Sequence, residues 1–244
     1  MSTGVTINVG LLKYRTTVAI ATIIMAFDLV TTSLGQVILA DNINAGVFSV
    51  DSKPYGMTYA EWTAKWWQWL VSIPQPSNPA ADATGKNCGL NQNGPVWFLP
   101  GTTGGSAERT CTLPAGKALL FPIINSECDF LGYPNVKTEI GLASCAKADP
   151  DRTTNLQATI DGVNLRQLEK YRIMSQPFNV TFPSNNLFGS PSGTTIMVSD
   201  GFWVFLQPLA IGEHELHFSG LTPGNPTTGT ANFVTDATYH LIMH

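Results

Sequence analysis

Residues 55–73 read YGMTYAEWTAKWWQWLVSI and hold four of the chain's six tryptophans, Trp62, Trp66, Trp67 and Trp69. Thr58 stands three residues before Glu61. This is the capping-box spacing, in which the hydroxyl accepts from the Glu61 N–H and the carboxylate reaches back to the Thr58 N–H. Met57 ahead of the cap and Trp62 at the fourth helical position are placed for a hydrophobic staple. Pro74 closes the run, because a residue before proline avoids helical angles. The spacing predicts a helix over residues 59–72. At about 100° per residue, Glu61, Lys65, Gln68 and Ser72 fall on one narrow stripe. The remaining arc is apolar or small, far wider than that of a helix covered on one side. A sugar-stacking platform would leave several indoles in water. The wide arc instead predicts a packed helix with Trp62, Trp66 and Trp69 buried against a sheet.

Downstream of the helix, residues 74–116 are dense in Pro, Gly, Asn and Thr, with an apolar island at Val96-Trp97-Phe98-Leu99. They read as a long structured loop with two short strands, held by a disulfide. Residues 118–125, ALLFPIIN, form a continuous apolar run expected to be a buried strand. Pro122 within it favours an edge or a bulge. An irregular stretch follows to residue 151, with a short helix expected over residues 134–143. From Asn155 the pattern is β. Residues 156–160, then Asp161-Gly162, then residues 163–165 make a hairpin with a type I′ turn signature. Further strands are expected at residues 178–182, 194–198, 202–206, 213–219 and 235–243, with Asp200-Gly201 read as the turn between the second and third segments of this list. Short strands with turn signals every 8 to 12 residues imply a sandwich. The expected fold is mainly β: a disulfide-stapled β-sandwich, immunoglobulin- or jelly-roll-like, with the Trp-rich helix packed on it.

Upstream, Lys13 and Arg15 precede the apolar run of residues 17–27, the order of a secretory signal peptide. Small residues suit cleavage after Gly35, or at Ala40 or Ala45. Asp28 interrupts the run before it reaches the length of a spanning helix, so no membrane association is expected beyond the signal segment. Residues 1–40 are therefore assigned to a signal and leader. Residues 41–244 are assigned to one secreted or cell-surface domain, with the helix and stapled loops in residues 55–150 and antiparallel strands in residues 155–244. Cys88, Cys111, Cys128 and Cys145 all follow the signal, and an even count in an exported chain reads as two disulfides. Three pairings are possible. Cys88–Cys111 and Cys128–Cys145 each close a local loop. Charged residues make up 12% of the chain and the net charge is −4. Without clustered Lys and Arg, a nucleic-acid partner is not expected.

The segments YGMTYAEWTAKWWQWLVSIP, GPVWFLPGTTGG, CTLPAGKALLFPIINSEC and DGFWVFLQPLAIGEHELHFSG together resemble a group of secreted microbial proteins that share the EWTAKWWQW-type helix and the GEHELHF-type strand. The resemblance spans most of the chain beyond the signal. It implies secretion and a β-rich fold. The group carries no assigned activity, so it implies nothing about chemistry.

Three constellations bear on function. Glu127 and Asp129 lie just past the buried strand and point to one side if the strand continues. Paired carboxylates are what glycoside hydrolysis requires, with Asp200 as another candidate partner. Trp97 and Trp203 are the candidate sugar-stacking rings. All four histidines, His214, His217, His240 and His244, fall in the last 31 residues. His214-Glu215-Leu216-His217 is not the zinc-protease pattern, which needs histidines at i and i+4 on a helix. In a strand His214 joins the apolar side with Leu216 and Phe218, and His217 with His240 is the candidate metal pair. Asp149-Pro150-Asp151 with Asn155 lacks the glycine and closing glutamate of a calcium loop. No nucleophile elbow or phosphate loop is present, and Gly189-Ser190-Pro191-Ser192-Gly193 carries proline at its centre. Asn179-Val180-Thr181 is a glycosylation sequon. No cofactor is expected. The leading functional expectation is a non-catalytic secreted protein with a binding, adhesion or envelope role, its partner an extracellular glycan or envelope component. The alternatives are a polysaccharide hydrolase using the loop carboxylates, and a divalent-metal-binding secreted protein.

Overall fold

In the structure, a computed structural model, residues 44–227 and 229–244 are described together with Met1. The signal segment expected in residues 1–40 lies outside the described residues. The helix α1 (Tyr59–Ser72) begins as its sequence dictates. Thr58 Oγ1 accepts from the Glu61 N–H at 3.2 Å, and a Glu61 oxygen accepts from the Thr58 N–H at 2.7 Å. All four of its indoles are buried. Three of their N–H groups donate to loop carbonyls: Trp62 to Pro54 O, Trp66 to Leu99 O and Trp69 to Leu90 O. The helix thus holds the irregular chain on either side of it as well as the sheet.

Ten strands follow among the described residues: β1 (Val96–Phe98), β2 (Gly105–Leu113), β3 (Ala118–Asp129), β4 (Thr154–Ile160), β5 (Val163–Asn164), β6 (Arg172–Met174), β7 (Phe178–Phe182), β8 (Gly193–Leu206), β9 (Gly212–Thr222) and β10 (Phe233–Met243). One sheet runs β1-β3-β8-β6, with β7 also pairing β8. The other runs β2-β10-β9-β4-β5. The strands from β4 onward pair antiparallel with one another, whereas β1 joins β3 and β2 joins β10 in parallel.

The first sheet is covered on both faces, which explains the unbroken apolar runs in β3 and β8. On one face, Leu119, Phe121, Phe202, Val204 and Leu206 meet Leu216, Phe218, Tyr239 and Leu241 of the second sheet. On the other, Leu120, Trp203 and Phe205 meet the α1 tryptophans, joined by Val180 and Phe182 of β7. A second helix, α2 (Glu139–Ala146), covers Cys128 and Val198 at the far end of the sheet. The layers are therefore sheet, sheet and helix, and the expected mainly-β sandwich carrying the Trp-rich helix is present. Both local disulfides are formed, Cys88–Cys111 across 23 residues and Cys128–Cys145 across 17.

Three local expectations need correction. Asp200-Gly201 is not a turn, because β8 runs unbroken through it. Gly201 is there for closeness: a Cβ would meet Asn125 Cβ at 2.5 Å and Ile124 O at 2.7 Å. The helix expected over residues 134–143 starts later, because Thr138 is the cap that accepts from the Gly141 N–H at 3.0 Å. The long loop is also more ordered than expected, since β2 spans nine residues and pairs along its whole length with β10. The Asp161-Gly162 hairpin forms with both residues at positive φ, 50° and 75°, as a type I′ turn needs. Pro122 coincides with a bulge in β3 opposite β8.

Candidate functional site

The β3 bulge decides the site. β1 accompanies β3 only as far as Leu120, so from Phe121 onward that edge has no strand beside it. A cavity of about 360 Å³ opens there. Trp66, Trp67 and Leu70 of α1 form one wall. Pro122 to Asn125 form another, and Phe188, Phe233 and Thr235 close it. Two buried donors on these walls have no partner, Trp67 Nε1 and Asn125 Nδ2. A buried N–H without an acceptor costs about 1–3 kcal/mol.

Asn125 also begins a polar row. After the bulge, Asn125, Glu127 and Asp129 alternate onto the α1 face of the sheet, opposite Gly201, Ser199 and Met197 of β8. Asp129 is 1% exposed, and its Oδ1 accepts from the N–H groups of Leu131 at 2.7 Å and Gly132 at 3.0 Å. Its Oδ2 is buried without a partner, as are Glu127 Oε2 and Ser199 Oγ. Burial, reinforced by the neighbouring Asp129, pushes the Glu127 carboxyl up to about 8. The nearby Tyr133 phenol is raised as well, by burial first and then by Glu127, Asp149 and Asp129. The expected pairing of Glu127 with Asp129 on one side of a strand is thus present. Neither carboxyl lines this cavity, and neither lines the more polar hollow near His214 and His240 described below.

The other predicted residues lie elsewhere. Asp200 is on the opposite face of the sheet from Glu127, held by two nitrogens of Arg172 at 2.6–3.2 Å. Trp97 and Trp203 are 8% and 0% exposed core residues, so neither offers a face for stacking in water. Asp151 pairs with Lys147 and Arg172, and Asp149 with Arg152, which makes that acidic stretch an ion-pair network.

His217 and His240 share the outer face of the second sheet, but each has its own carboxylate. His217 Nε2 lies 3.0 Å from Asp236. His240 sits between Glu108, 2.8 Å from Nε2, and Glu215, 3.9 Å from Nδ1. Its nitrogens therefore face two different acids. His214 bonds Asp161 and Ala210 O at the hairpin end, and the Asp161 bond raises its pKa. That hollow is lined by Asp161, Glu213, His214, Glu215 and His240. Among the described residues, no three His, Cys, Asp or Glu side chains gather in a metal-binding group.

Sequence reasoning missed Asn125, Trp67, Phe188 and Ser199. The only available signal was the alternation Asn125, Glu127, Asp129, which marks one face of a continuing strand. Comparison with protein-family models, with curated proteins and with solved structures finds no match.

Proposed function

We propose that the chain is an exported binding protein. Its cavity takes a small ring-shaped ligand rich in acceptor oxygens, of the class formed by one or two sugar units of an extracellular glycan. The observation that carries this reading is the pair of unpartnered buried donors, Trp67 Nε1 and Asn125 Nδ2, on the walls of an aromatic cavity. Its volume of about 360 Å³ lies in the range of small-ligand sites. Aromatic walls with a few placed polar groups suit a sugar ring, which has apolar faces and a polar rim. Two disulfides fit an oxidising compartment, and no described helix is long and apolar enough to cross a membrane. A hydrolase reading is less well supported, because neither cavity is lined by Glu127 or Asp129.

The test is a titration of the purified chain with mono- and disaccharides, followed by tryptophan emission and calorimetry. A subset of sugars should bind, and Asn125→Leu should weaken them about tenfold, the worth of one buried hydrogen bond. No sugar response in the wild type, or an equal response in Asn125→Leu, would remove this function.

A further inference from the structure

We propose that Glu127, Asp129 and Ser199, with Ser190 beside them, form a binding site for one hard divalent cation of the calcium type, separate from the sugar cavity. Three features support it.

The first is the orphaned oxygens. Glu127 Oε2, Asp129 Oδ2 and Ser199 Oγ are all buried without a hydrogen-bond partner. Ser199 is 0% exposed and stands directly opposite Glu127 in the β3–β8 register, so its side chain leaves the sheet on the same face. Cross-strand neighbours at such positions have Cβ atoms about 4.5–5.5 Å apart. Three unpartnered buried oxygens therefore leave the same face of the sheet from neighbouring positions on two paired strands.

The second is charge. Among the described residues, neither carboxyl makes an ion pair with Lys, Arg or His. The nearby Arg172 is committed to Asp200 on the other face. Buried charges are ordinarily paired or bound to a metal.

The third is orientation. The N–H groups of Leu131 and Gly132 fix Asp129 through Oδ1, which leaves Oδ2 as a held ligand atom. Gly132 permits the close approach of Ser190: a Cβ there would come within 2.8 Å of Asp129 Oδ2 and 3.3 Å of Ser190 Oγ. The donor set is then two carboxylates and two hydroxyls, all oxygen, which selects a hard cation with water completing the shell. The histidine face of the second sheet has the opposite character and is not part of this site.

The experiment uses the full chain, stripped with chelator and titrated with calcium, with terbium as a luminescent substitute excited through nearby Tyr133. One equivalent of terbium should light up and be displaced by calcium. Saturating calcium should raise the melting temperature by about 5 °C. Glu127→Gln should abolish both effects. Ser199→Ala, which leaves both carboxyls in place, should weaken calcium about tenfold and keeps the test decisive if Glu127→Gln does not fold. The proposal is overturned if calcium changes neither signal in the wild type, if a folded Glu127→Gln responds like the wild type, if Ser199→Ala binds calcium as the wild type does, or if only zinc binds. The sugar titration is independent of all these outcomes.

Discussion

Glu127 is the residue where burial and chemistry conflict most directly. Its carboxyl is pushed from 4.5 up to about 8 by burial and then by Asp129. In cation-free protein the folded state therefore keeps a proton that the unfolded chain releases across that interval. Where the folded state binds more protons, stability falls as pH rises. The contribution is full below about pH 4.5 and is lost through about pH 8. A one-unit shift is worth about 1.4 kcal/mol, so the total is at most about 5 kcal/mol. Urea midpoints in chelator at pH 5 and pH 8 should separate for the wild type and converge for Glu127→Gln. Parallel profiles for the two proteins would mean that Glu127 is solvated. Half of this site was legible from sequence, since the i,i+2 spacing put Glu127 and Asp129 on one face. Their burial was not, because it depends on Ser199 of β8 lying opposite Glu127, a pairing across about 70 residues that no local signal encodes. Asp200 failed for a related reason. Asp-Gly is turn chemistry in isolation, but here the glycine answers the close approach of Asn125.

At the scale of elements, α1 was the most legible part of the chain and β8 the least. The cap, the stop at Pro74 and the polar stripe of Glu61, Lys65 and Gln68 are all local, and local physics set them. Trp66 shows what the helix is for. It is 2% exposed, donates to Leu99 O at 3.1 Å, and meets Trp67, Trp69 and Trp203 edge-on at ring distances of 5.1, 6.0 and 5.2 Å. Trp66→Ala should cost about 3–5 kcal/mol, the usual loss for a buried large aromatic. Lys65→Ala, on the exposed stripe, should stay within about 0.5 kcal/mol. Denaturant unfolding of both variants checks the contrast, and a mild Trp66→Ala would mean that the helix is peripheral to the fold. The strands were harder to read because their partners are distant. The parallel pairings β1–β3 and β2–β10 leave no hairpin signature, and β8 looks like two strands only until its neighbours are known.

For the molecule as a whole, Arg109 links the layers. It lies in β2, an alternating strand where a single arginine reads as a solvent-facing residue, yet it is 2% exposed. Its guanidinium donates to Asp82 O at 2.7 Å, to Pro100 O and Gly101 O at 3.0 Å each, to Ala80 O at 3.2 Å and to the Tyr239 hydroxyl at 2.7 Å. It also lies over the Tyr239 ring at 5.3 Å. One side chain thus ties two loop segments to β2 and β10, and Ala80, Pro100 and Gly101 are also walls of the cavity. Removing it strands several buried carbonyls at once, each costing about 1–3 kcal/mol if left unpaired. Arg109→Met keeps the length and apolar stem but none of the donors. It should lose about 3 kcal/mol or more, speed amide exchange in peptides covering residues 78–103 and, under the proposed function, weaken sugar binding in parallel. Exchange through α1 should stay slow, because its N–H groups bond within the helix and its tryptophans pack on Trp203 and Phe205 of the first sheet as well as on residues 78–103. If Arg109→Met loosens α1 and residues 78–103 equally, the arginine serves global stability alone. If exchange quickens only in residues 78–103, the cavity wall is a separately held layer, set by a residue placed behind it.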